Sequence, residues 1–87
     1  MEQRDLKELL ILLKYYIIRQ KPDIFYGMCI AIDEMLCRDI LTYSEYVVLR
    51  NFLKDNKPKG LMRLDFWFPK GEKQPRIDWL NNEIYKL

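Results

Sequence analysis

The side chains best suited to bind something are gathered in fifteen residues, Phe66 to Leu80, which hold both tryptophans, two of the four prolines and one of the three glycines. Trp67 offers a ring face on which a base could stack. Lys70, Lys73 and Arg76 offer cations, and a guanidinium can pair two oxygens of a phosphate or carboxylate at once. Together they describe an anion site, with a nucleotide as the ligand that uses both the ring and the charges.

The surrounding residues give that site a shape. Met62, Leu64, Phe66 and Phe68 alternate with Arg63 and Asp65, the period of an extended segment. Pro69 disfavours the α region at Phe68, so the extension should persist that far. Pro69-Lys70-Gly71 reads as a turn. Pro75 suits the first turn of a helix, where its missing N–H costs nothing. Residues 61–74 therefore read as an aromatic arm and basic turn that deliver Lys73 and Arg76 to a helix N-terminus. Unpaired N–H groups there favour negative charge. A second reading uses the same residues structurally: Trp67 and Trp79 close a small core and the charges form its solvated rim. The two readings are compatible if Trp79 is core and Trp67 is partly exposed.

The pattern W-F-P-x-G-x-x-x-P-R-I-x-W-L, from Trp67 to Leu80, resembles a family of small tailed-phage proteins. The resemblance extends back through Ile40-Leu41-Thr42 and Glu45 to Gly27-Met28-Cys29. It implies a phage origin, and with it the cytoplasm of a host cell as the place of action.

Much chemistry is excluded. The chain has no histidine, so Ser-His and Cys-His nucleophile pairs are impossible. Its three glycines form neither a P-loop nor a dinucleotide fingerprint. Asp33 and Glu34 are neighbours on a helix, point in different directions and make a poor catalytic pair. Cys29 and Cys37, eight residues apart on one helix, are separated by about 12 Å, too far for a disulfide. With no Cys-x-x-Cys, a zinc site is not expected either. The expectation is a non-enzyme with no cofactor and no metal.

Eighty-seven residues suit one small domain, and 49% hydrophobic residues suffice for a core. The net charge of +2 is too small for a nucleic-acid coat. It is unevenly spread, with six basic and two acidic residues between Lys57 and Arg76. The apolar run from Leu9 to Tyr16 contains Lys14 and is too short to span a bilayer. Glu2, Asp5 and Glu8 spoil a signal peptide. A cytoplasmic protein without a membrane partner is expected.

The fold expected is all-α: a small domain of three or four helices, about 2–20, 22–39, 43–55 and 75–87, with the arm before the last. Leu6, Leu9, Leu10, Leu13, Tyr16 and Ile17 form the buried stripe of the first helix. Ile11, Leu12, Tyr15 and Ile18 widen it to most of the circumference. This favours a homo-oligomer through that helix, unless the C-terminal arm covers them. Gly27, placed in the first turns of the second helix, costs about 1 kcal/mol against Ala and suggests a close approach. Thr42 and Glu45 match a capping box for the third helix. Its N-terminus makes a poor DNA reader, because Glu45 repels phosphate and only Arg50 and Lys54 follow. Ile77, Leu80, Ile84 and Leu87 make one face of the last helix, which should return to pack on the first.

Three functions fit. The first is a phage-type accessory protein, acting in counter-defence or nucleotide handling, that holds an anionic ligand at Trp67, Lys70, Lys73 and Arg76. The second is an adaptor or inhibitor that anchors the same aromatic surface in a host protein. The third is weak nucleic-acid binding through the basic segment, betrayed by steep salt dependence.

Overall fold

The computed structural model describes residues 4–21, 27–56 and 73–87. The proposed arm, with Trp67 and Lys70, lies outside them, as does the expected helical start at 22–26. The fold is all-α, four helices with no strand among the described residues: α1 (Leu6–Arg19), α2 (Met28–Cys37), α3 (Tyr43–Asn56) and α4 (Gln74–Lys86). The first helix packs against the other three, α2 packs on α3, and the expected return of α4 to α1 is observed.

α1 starts at Leu6, four residues later than its periodicity suggests. Asp5 is the reason. Its extended backbone stops the helix, and its side chain accepts a hydrogen bond from the Glu8 amide at 2.9 Å. Leu9, Leu10, Leu13 and Ile17 are fully buried, the central part of the expected stripe. Leu6, Leu12 and Tyr16 are half-buried against the same cluster. Tyr15 and Ile18 lie on the far side, 51% and 45% exposed.

Gly27 is not inside α2. It is the residue before it, with φ 146° and ψ 174°, a conformation open essentially only to glycine. The reason for a glycine is therefore the backbone itself rather than helix packing.

α2 ends in a Schellman motif that the sequence does not advertise. The Ile40 amide donates to the Met35 carbonyl at 2.9 Å, and the Asp39 amide to Leu36 at 3.1 Å. Asp39 supplies the left-handed residue, at φ 61°. Aspartate tolerates that region better than most residues but still carries a Cβ penalty that glycine lacks. Asp39→Gly should therefore raise stability by about 0.5–1 kcal/mol, read as a higher urea midpoint at unchanged slope.

The capping box is formed as the sequence indicates. The Glu45 amide donates to Thr42 Oγ1 at 3.2 Å, and the Thr42 amide to Glu45 Oε1 at 2.9 Å. Leu49 and Leu53 are buried along α3, with Tyr46 and Phe52 half-buried beside them. On α4 only Leu80 of the expected apolar face is fully buried; Ile77 and Ile84 are partly covered, and Leu87 is 55% exposed. The face is completed instead by two charged residues, Arg76 and Glu83. Trp79 is half-buried against Phe52, ring centroids 6.1 Å apart, so this tryptophan serves the core's edge.

Candidate functional site

Of the four side chains expected to hold an anion, Lys73 and Arg76 are described. Lys73 precedes α4, and its Nζ donates to the Ile18 carbonyl at 2.8 Å and to that of Gln20. These are carbonyls at the end of α1, which no intrahelical amide satisfies. A lysine there pairs with them directly and with the negative end of the helix dipole. This contact places the start of α4 at the end of α1. Arg76, in the first turn of α4, is 0% exposed. The residue read as a rim cation is one of the largest fully buried side chains, engaged within the fold. Of the two described members of the set, Lys73 therefore ties the start of α4 to the end of α1 and Arg76 is packed inside.

Among the described residues a dense polar cluster lies elsewhere and joins residues 41 positions apart. Arg4 Nε donates to Glu45 Oε2 and Arg4 NH2 to Glu45 Oε1, both at 2.9 Å, a two-pronged pair. The same NH2 reaches the Ile40 carbonyl at 2.7 Å, and the Arg4 amide reaches Oε2 at 3.2 Å. Glu45 is only 2% exposed, yet its carboxyl is held at about 2 rather than 4.5. The Arg4 hydrogen bond is the main cause, with the Thr42 amide adding to it; burial opposes both. The guanidinium is correspondingly pushed up by its bond to Glu45. One carboxylate therefore caps α3 and ties the chain before α1 onto α3. The capping box was legible from spacing. Arg4 was not, since nothing local marks a partner so distant.

Asp33 and Glu34 each accept a phenol rather than facing one another. Tyr46 donates to Asp33 Oδ1 and Tyr16 to Glu34 Oε2, both at 2.6 Å. For Tyr46 the bond to Asp33 is the main reason its phenol is pushed up; for Tyr16 burial comes first and Glu34 adds to it. Both phenols are thereby kept as donors. Arg50 NH1 donates to the Tyr46 hydroxyl at 2.9 Å, and the Arg38 guanidinium lies 6.0 Å over the Tyr16 ring. These contacts fasten α2 between α1 and α3.

Of the two cysteines of α2, Cys29 is buried and Cys37 exposed. Among the described residues, no group of acids and thiols could hold a metal ion, and no helix is long and apolar enough to cross a membrane. No family model, no curated protein and no solved structure matches this chain.

Proposed function

We propose that this chain is a small non-catalytic protein-binding module of the phage accessory type, an adaptor or inhibitor that docks on a host protein. The observation that favours this over an anion site is the use of the basic residues at the start of α4. Lys73 is committed to the carbonyls of α1, and Arg76 has no exposed surface. A ligand would have to displace the first and unpack the second. Exposed rings are available instead: Tyr15 is 51% exposed, Tyr43 71% and Tyr85 92%. Tyrosine brings a large, stiff contact area to an interface at little entropic cost. The non-catalytic part of the reading is supported by the lack of histidine and by the engagement of Asp33 and Glu34 with phenols. The phage part is supported by the Trp67 to Leu80 pattern.

A photo-crosslinking phenylalanine analogue placed at Tyr15, Tyr43 or Tyr85 tests the role in the cell that normally makes the protein. Discrete protein adducts are expected from at least one position, together with a native mass equal to that of the bare chain. A retained small anion in the native mass spectrum, with no protein adduct from any position, would overturn the reading in favour of the anion site.

A further inference from the structure

The outer face of α1 is more specific than exposure alone conveys. At 3.6 residues per turn, Ile11, Tyr15 and Ile18 follow one another at i, i+4 and i+7, on the side away from buried Leu9, Leu13 and Ile17. Tyr15 and Ile18 are about half exposed, and Ile11 is half-buried. Lys7 and Lys14 line one edge of this stripe, and Arg19 lies on the other beside Glu8. Three cations thus stand against one carboxylate. The Lys14 amine sits over the Tyr15 ring, 5.1 Å from its centroid, so cation and ring already form a paired surface.

The helix is also fixed at both ends. Arg4 is bonded to Glu45 and Ile40 just before it, and Lys73 holds its last carbonyls. A face held this way loses little freedom on binding.

The charge decides what fits. A second copy laid on this face would bring lysines against lysines, which costs rather than gains. An anionic membrane would welcome the cations, but the apolar stripe is one residue wide, too narrow for a helix that must sink into lipid. Resting on the protein-binding role, we infer that the Ile11–Tyr15–Ile18 stripe docks an acidic amphipathic helix of a partner protein. Leucine-type anchors at i, i+3 or i+4 and i+7 would meet the stripe, and flanking carboxylates would meet Lys7, Lys14 and Arg19.

A labelled synthetic peptide of about five helical turns, with leucines at that spacing and glutamates on both flanks, serves as the probe. Fluorescence anisotropy should show saturable binding to the whole protein that weakens as salt is raised. The double change Lys7→Glu and Lys14→Glu should weaken it at least tenfold, with the helical circular dichroism unchanged. Lys54→Glu, at an exposed position on α3, should leave affinity as it was. Each of four results would overturn the inference: equal binding of a scrambled peptide, indifference to the Lys7/Lys14 reversal, a doubled mass in solution instead of peptide binding, or binding to phosphatidylserine vesicles in place of the peptide. If the peptide fails while crosslinks still form from Tyr43 or Tyr85, this face is wrong and the protein-binding role stands. If no crosslink forms from any position, the role itself falls.

Discussion

Lowering the pH from 4.5 toward 2 is expected to remove about 2 kcal/mol of folding stability through Glu45 alone, and Glu45→Gln is expected to abolish that part of the loss. The Glu45 carboxyl titrates at about 2 in the fold against an ordinary 4.5. A group whose folded value is depressed contributes stability that is fully present above its unfolded value. That contribution disappears as pH falls through the folded one. The interval corresponds to about 3 kcal/mol. Solvent reaches the Arg4 side chain, which is 38% exposed, so about 2 kcal/mol is the effect to expect.

Glutamine is the informative replacement. It can still reach back to the Thr42 amide, because the capping box accepts Gln in this position. What it removes is the charge that Arg4 holds. At pH 7, Glu45→Gln should therefore cost about 2 kcal/mol, and Arg4→Met a similar amount. The double variant should lose much less than the two added together, as partners in one contact do. Urea unfolding followed by circular dichroism between pH 7 and pH 2 gives all these values. If the parent and Glu45→Gln fall in parallel from pH 4.5 to 2, other carboxylates govern acid unfolding and the latch is unimportant. Losses of this size matter in a small domain, for which totals near the low end of about 5–15 kcal/mol are usual.

What could be read from the sequence here was the local part. Helix type and most of the core follow from the 3.6-residue period, which leaves the number at three or four, and Thr42 and Glu45 carry a cap signature at a spacing of only three residues. The break after residue 39 follows from the expected helix bounds, but its Schellman form does not, because its αL residue is an aspartate where glycine is the usual signal. Sequence alone puts Gly27 inside a helix at a cost, whereas it stands just outside one with a backbone essentially only glycine adopts. The non-local partners were out of reach. Arg4 meets Glu45 across 41 positions and Lys73 meets Ile18 across 55. Neither residue differs, by type or neighbours, from an exposed cation. The same blindness misplaced Arg76. Arginine is rarely fully buried, so composition argues for a rim. Yet on α4 it is 76, 80 and 83 that share the inward face, so the helix buries a guanidinium and a carboxylate with its leucine.

The burial of Arg76 leads to the largest effect expected. A rim arginine could be replaced within about 0.5 kcal/mol. A fully buried one cannot. Arg76→Ala should cost about 3–5 kcal/mol, because it empties the volume of one of the largest fully buried side chains and strands whatever the guanidinium engages. Arg76→Lys keeps the charge but replaces a planar fork with a compact, strongly hydrated ammonium, which is harder to bury. It should cost about 1–3 kcal/mol. The order Ala, then Lys, then parent, measured by urea unfolding at pH 7, supports an internal role on the inward face of α4. Lys73→Met, which removes the link from the start of α4 to the carbonyls of α1 while leaving α4's inward face alone, should be milder than Arg76→Ala. If both Arg76 variants stay within about 0.5 kcal/mol of the parent, the side chain spends its time at the surface in solution. The anion site at Trp67, Lys70, Lys73 and Arg76 would then regain its strongest cation. If they destabilise the protein as expected, a loss of ligand binding in either variant carries no information about an anion contact, and the pattern around Pro75 and Arg76 serves the fold.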